Sequence, residues 1–194
     1  MPIFQLPDAI VFPDVSFAED DGLLAIGGDL SIERLIAAYS QGIFPWYSSQ
    51  EPILWWAPDP RLVLFPDRLK SSESLQRKIN SHHYEVRFDT DFVKVISHCA
   101  EIERKHEAGT WITREMKTAY IELHQKGYAH SVETYHNGIL AGGLYGVSLG
   151  RAFFGESMFH LQPDASKVAL FHLVEKAKEF NFIFIDRYNK SRDR

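Results

Sequence analysis

A chain of 194 residues with 45% hydrophobic and 24% charged residues can build one globular domain, or one domain with a small companion. Its formal net charge of −5 argues against wholesale nonspecific nucleic-acid binding but leaves room for a local basic patch. The single cysteine, Cys99, offers neither a disulfide framework nor a metal cluster, and no stretch approaches membrane-spanning length, so the expectation is a cytoplasmic protein.

Residues 1–30 read as loop-rich, with prolines at 2, 7 and 13 and a short apolar run ending at Gly27-Gly28-Asp29. Ser31 is a helix N-cap, and Leu35, Ile36 and Tyr39 give helical spacing before Gly42 stops the helix. Five prolines between positions 45 and 66 forbid a helix there, leaving an aromatic loop with a short strand at 53–56. Arg61 to Phe65 reads as a strand, and Pro66 as a boundary between a small N-terminal α/β domain, 1–66, and a larger domain, 67–194.

In the larger domain Ser72 caps a short helix and 83–88 alternates as a strand. Phe92, Val95, Ile96, Cys99 and Ile102 predict an amphipathic helix over 91–105. Thr113 caps a further helix, apolar at Met116, Ala119, Tyr120 and Leu123 and stopped by Gly127. Three antiparallel strands follow, joined by tight turns at Asn137-Gly138 and Leu149-Gly150. The last elements are a helix from Pro163 or Asp164 to about Glu179 and a buried strand over 182–186. A meander, a helix and a final strand make an α+β, acetyltransferase-like (GNAT) mixed sheet. The Gln/Arg-x-x-Gly-x-Gly/Ala loop with which CoA-using members hold a pyrophosphate at a helix N-terminus is missing, so any acyl donor should be something other than CoA.

Glycines 142, 143, 146 and 155 are too many for an ordinary meander, and such positions mark a bulge or a close approach of another chain or ligand to the backbone. Trp46, Tyr47, Trp55 and Trp56 read as the core of the small domain, as a stacking platform for a base or apolar side chain, or as the aromatics of a carbohydrate-binding module. Trp111 stands just before a helix start, where an aromatic acts as a hydrophobic staple, and Tyr120 lies on the apolar side of that helix. Glu156 and Asp186 each end an apolar strand, as solvated termini or as acceptors poised in a cleft. The histidines show no metal-ligand spacing. Arg61, Arg68, Lys70, Arg77 and Lys78 form the local basic excess.

The stretches GLLAIGGDL (22–30), GIFPWYS (42–48), PILWWAPDPR (52–61), GTWITREM (109–116), AHSVE (129–133), GGLYGVSLGRAFFGESMF (142–159) and ASK (165–167) together resemble the leucyl/phenylalanyl-tRNA–protein transferase family, in the same order and from about residue 20 to Asp186. The resemblance implies transfer of Leu or Phe (also Met) from aminoacyl-tRNA to the N-terminal amine of proteins beginning with Arg or Lys, which marks them for N-degron degradation. It implies that Trp46, Trp111 and Tyr120 surround the 3′-terminal adenosine and aminoacyl ester, that Phe153 and Met158 wall the side-chain pocket, and that Glu156 and Asp186 orient the attacking amine. Arg77 and Lys78 would meet the tRNA acceptor stem, and the sheet glycines would let the 3′ end or the acceptor peptide approach. It implies no metal or cofactor and a monomer. After Asp186 the chain departs from the family pattern: Tyr188 stands where the family has a Gln, and the C-terminal segment reads as truncated. The second reading is therefore a catalytically impaired aminoacyl-tRNA or N-degron binding protein.

Overall fold

The computed structural model describes residues 3–101 and 111–187, which fall into two compact units. The first is built from Met1–Arg61 together with Ala100–Leu123. Strands β1 (Phe4–Leu6) and β2 (Leu23–Gly27), helix α1 (Ile32–Tyr39) and strands β3 (Phe44–Pro45) and β4 (Leu54–Trp56) follow one another. The four strands form a sheet in the order β1-β2-β4-β3, with β1 parallel to β2 and the other pairs antiparallel. Sequence patterning leaves β1 as loop because three residues are too few for an alternation to register. The Ser31 side chain accepts from the Arg34 amide, the expected N-cap.

The tryptophans are fixed by their indole N–H groups as much as by burial. Trp55 donates to the Gly27 carbonyl at 2.8 Å and Trp56 to the Trp46 carbonyl at 2.7 Å, so each large ring goes inside with its polar atom satisfied. Arg34 is fully buried and donates to the carbonyls of Pro7 and Asp8, both at 3.0 Å, with Asp29 beside its Nε at 3.3 Å. That guanidinium ties the N-terminal loop to α1.

The second unit comprises Leu62–Cys99 and His124–Arg194. Along the chain come β5 (Val63–Leu64), α2 (Glu73–Asn80), β6 (Glu85–Phe88) and α3 (Phe92–Glu101). The remaining positions of the helix expected over 91–105 lie outside the described residues. Helix α4 (Arg114–Gln125), most of which belongs to the first unit, leads back to β7 (Ala129–His136), β8 (Ile139–Leu149), β9 (Ala152–His160), α5 (Ala165–Glu179) and β10 (Phe184–Arg187). The six strands form one mixed sheet in the order β5-β10-β9-β8-β7-β6, in which β9 and β10 alone run parallel. A parallel neighbour requires a crossover, and α5 provides it. The fold is the α+β mixed sheet expected from the element order, with the meander followed by a helix and a final strand.

Asn137 (φ 51°) and Gly138 (φ 76°) both occupy the left-handed region and close the β7–β8 hairpin. In the next hairpin only Gly150 does so (φ 59°). Leu149 is instead the last paired residue of β8, opposite Ala152. The unit's core lies between sheet and α5, where Val132, Leu144, Phe153 and Ile185 pack against Ala169, Leu173, Val174 and Ala177.

The sheet glycines are explained mostly from within the chain. A Cβ on Gly142 would stand 2.7 Å from the Ala165 Cβ, and one on Gly146 2.5 Å from Phe153 Cε1 and 2.2 Å from the Phe154 carbonyl oxygen. The space that a ligand was expected to use at these two positions is taken by the start of α5 and by the Phe153 ring. Among the described residues, no helix is long and apolar enough to cross a membrane.

Candidate active site

The site residues expected from the sequence divide between the units, and the structure groups them within each. In the first unit Tyr120 is buried on α4 and its hydroxyl hydrogen-bonds that of Tyr39, equally buried on α1. Sequence reasoning missed Tyr39, reading it only as an apolar-face position of α1. No motif marks a phenol whose partner is 81 residues away. Trp111 is buried at the entrance to α4, and Thr113 accepts from the Met116 amide at 3.2 Å as that helix's cap. Trp46 is half-buried and packs edge-on against Trp56, with ring centroids 5.7 Å apart at 69°.

Next to Trp46, Tyr47 is buried with its hydroxyl 3.4 Å from the Thr113 hydroxyl and 3.5 Å from Glu115. Burial, with the Glu115 charge adding to it, pushes the Tyr47 phenol up. The aromatic loop is thus core at Trp55, Trp56 and Tyr47 and accessible at Trp46. Removing the Tyr39 hydroxyl takes away the hydrogen bond between these two buried hydroxyls, and the net loss of one such bond costs about 0.5–1.5 kcal/mol. Tyr39→Phe is therefore expected to lower the urea midpoint measured by tryptophan fluorescence, and an unchanged midpoint would show that the hydroxyl pair contributes nothing.

In the second unit the polar candidates lie on adjacent parallel strands. Asp186 of β10 is in register with Phe154 of β9, and Arg187 with Gly155. Glu156 does not end a strand, as the sequence suggested; it lies inside β9. Gly155 pairs with Gly146 and Ser157 with Tyr145, so Glu156 is the extra residue of a β-bulge. A bulge re-aims the side chain it carries and interrupts the inside-outside alternation. That accounts for a carboxylate within an otherwise aromatic strand. Asp186 is buried and Glu156 half-buried.

Phe153 is buried, in register with Ile185 and covered by the sheet's own core, whereas Met158 is 37% exposed. On α2, Arg77 is exposed, but Lys78 is engaged with Asp164 and the Pro163 carbonyl, both at 3.0 Å. Tyr188 lies outside the described residues. Among the described residues, no group of three His, Cys, Asp or Glu side chains could hold a metal.

A second polar cluster lies on β7, within the AHSVE stretch, to which the sequence assigned no role. Glu133 is fully buried and accepts from the amides of Thr90 and Asp91 and from the Ser131 hydroxyl. Burial pushes its carboxyl up, although the three donors oppose that shift. The amides it receives are those just before α3, so the carboxylate caps that helix from across the sheet.

Residues 63–192 match the family described as leucyl/phenylalanyl-tRNA protein transferase, and residues 28–59 match that family's N-terminal domain. The leucyl/phenylalanyl-tRNA–protein transferase of Syntrophobacter fumaroxidans is 58% identical over 186 residues, 96% of this chain and 80% of that protein. The one from Desulfatibacillum aliphaticivorans is 56% identical over the same shares. Among solved structures, a predicted acetyltransferase with acetyl-CoA from Clostridium acetobutylicum aligns distantly, at TM-score 0.42 and 16% identity, covering 57% of this chain and 84% of that one. Two family matches that together span most of the chain, with relatives more than half identical, place it plainly: this protein belongs to the leucyl/phenylalanyl-tRNA–protein transferase family, an aminoacyltransferase enzyme family.

Proposed function

We propose that this protein transfers Leu, Phe or Met from aminoacyl-tRNA to the α-amine of proteins beginning with Arg or Lys, as a cytoplasmic monomer feeding N-degron degradation. The observation that carries the reading is the pair of carboxylates on neighbouring parallel strands, Asp186 on β10 and Glu156 in the bulge of β9, within a chain of this family. Trp46, Trp111 and Tyr120 would receive the 3′-terminal adenosine and ester. Phe153 and Met158 would bound the apolar side-chain pocket, and Arg77 with Lys78 would meet the acceptor stem, Arg77 having the freer side chain.

The reaction needs no further activation because the donor is an ester. An α-amine has a pKa near 7.7–8.0, so roughly a tenth of it is already neutral at pH 7. The amine nitrogen attacks the ester carbonyl carbon, the C–N bond forms, and the C–O bond to the ribose breaks. The proton lost by nitrogen ends on the ribose hydroxyl, directly or through a carboxylate. The side chains' contribution is then mainly to hold amine and ester in attack geometry, an effect that can supply several kcal/mol. A carboxylate pair beside the amine also suits an acceptor with a cationic first side chain through charge-assisted hydrogen bonds.

Labelled Leu is expected to move from Leu-tRNA to a peptide beginning with Arg and not to one beginning with Glu. Transfer at background level to both would overturn the activity. Tight binding of a puromycin-like 3′-end analogue without turnover would favour the impaired, binding-only reading, and recovery of transfer in Tyr188→Gln would assign that impairment to the phenol at 188.

A further inference from the structure

The bulge at Glu156 does more than aim a carboxylate. On β8, Leu144 and Ser148 lie four residues apart and therefore on one face of the sheet. Their partners on β9, Met158 and Phe153, are five apart, and in a regular strand residues five apart face opposite ways. The extra residue at Glu156 removes that mismatch and brings Phe153 and Met158 to the same face. It is the face toward α5. Leu144 and Phe153 belong to the core against that helix, and a Cβ on Gly142, two residues before Leu144, would stand 2.7 Å from the Ala165 Cβ. Phe159, the next residue along, turns the other way and stacks on His98 of α3, with centroids 4.8 Å apart. Leu144 and Phe153 are buried, whereas Met158 is exposed. This apolar side of the sheet is therefore sealed at Leu144 and Phe153 and open at a thioether.

An accessible thioether is a two-electron reductant. Its sulfur lone pair attacks one oxygen of hydrogen peroxide, the S–O bond forms and the O–O bond breaks. The departing hydroxide takes the proton of the transferred oxygen and leaves as water, so sulfur is oxidised and peroxide reduced. The sulfoxide is polar where the methionine was apolar, and reductases reverse it. In that reversal the oxygen leaves as water while two thiols join in a disulfide. The chain has three methionines and one cysteine. Met116 and Cys99 are buried, and Met1 lies outside the described residues. We propose that Met158 is a peroxide-sensitive modification site whose oxidation weakens the binding of apolar donor side chains. The proposal rests on the reading of Phe153 and Met158 as bounds of the donor pocket. A side chain seated against the sulfoxide strips water from its oxygen and offers no hydrogen bond in return, a loss of roughly tenfold or more in affinity.

The test treats the full chain with hydrogen peroxide and follows oxidation at each methionine by peptide mass spectrometry. Affinity for puromycin, a 3′-end analogue with an aromatic side chain, is measured before and after, and it reports on the pocket whether or not the chain turns over. Met158 is expected to gain one oxygen before Met116 does, and puromycin affinity to fall roughly tenfold or more. Methionine sulfoxide reductases with dithiothreitol should restore it. Met158→Leu, whatever its starting affinity, should keep that affinity through peroxide, and Met116→Leu should lose it as the unsubstituted chain does. A loss that persists in Met158→Leu, or a Met158 still unoxidised when Met116 has reacted, overturns the proposal. Untreated Met158→Ala separates it from the pocket reading. If that variant binds puromycin more weakly while full oxidation of Met158 changes nothing, the pocket stands and the modification site falls. If neither change alters affinity, Met158 is not in the pocket and both fall.

Discussion

Asp186→Asn is expected to reduce kcat/KM for leucyl transfer by about 10²- to 10⁴-fold, the range associated with loss of a positioned proton-handling group. Asp186 is 4% exposed on a strand whose neighbours are β5 and β9, so nearly isosteric Asn keeps the packing while removing the charge. Glu156→Gln should have the same kind of effect. Because Glu156 is the extra residue of a bulge, its substitution disturbs little of the ladder. If the two carboxylates act together on one amine, the double variant should be little worse than the poorer single one, since groups acting as a unit are non-additive. The decisive readouts are kcat and KM for the acceptor peptide, measured separately at matched thermal stability. A KM rise specific to peptides beginning with Arg or Lys would assign the pair to acceptor recognition. An unchanged kcat/KM in both single variants would remove them from the site.

Much of the second unit was legible because its signals are local. Asn137-Gly138 forces a tight turn wherever it falls between strands, and the spacing of Phe92, Val95, Ile96 and Cys99 allows one helical face. Long-range partners left no such trace. The Tyr39–Tyr120 hydroxyl pair, the capping of α3 by Glu133 and the bulge at Glu156 each depend on which strand or helix lies opposite. Glu156 shows the difference well. Its residue type pointed to a functional carboxylate, but its place within β9 follows only from the register in which Gly155 meets Gly146 and Ser157 meets Tyr145. The glycines misled for a related reason. A missing Cβ signals that something comes close, and sequence does not say whether that is a ligand or, as at Gly142, the protein's own helix.

Gly146 and Gly155 face each other across that bulge and should nevertheless respond very differently to alanine. A Cβ at 146 meets the Phe154 carbonyl oxygen at 2.2 Å and two atoms of the Phe153 ring at 2.5 and 2.7 Å. The ring could turn only by disrupting its packing against Leu144 and Ile185, and the carbonyl belongs to the β-ladder and cannot rotate away. Overpacking of this kind costs about 1–3 kcal/mol, occasionally more. For a chain of this size that corresponds to a fall in Tm of roughly 2–4 °C per kcal/mol. At 155 the nearest atom is the Asp186 carbonyl oxygen at 3.3 Å, so a shift of a few tenths of an ångström accommodates the methyl group. Alanine also removes backbone freedom from the unfolded chain, which offsets part of that cost. Gly155→Ala is expected to change stability by less than about 1 kcal/mol. Gly146→Ala should in addition lose transfer activity beyond what its lowered stability accounts for, because displacing Phe153 and Phe154 shifts the bulge that aims Glu156. Thermal unfolding followed by near-UV circular dichroism, paired with leucyl transfer well below both melting temperatures, separates these effects. Equal melting temperatures for the two variants would mean that the Phe153 ring is not held against Gly146, and normal transfer by a destabilised Gly146→Ala would uncouple the bulge from catalysis.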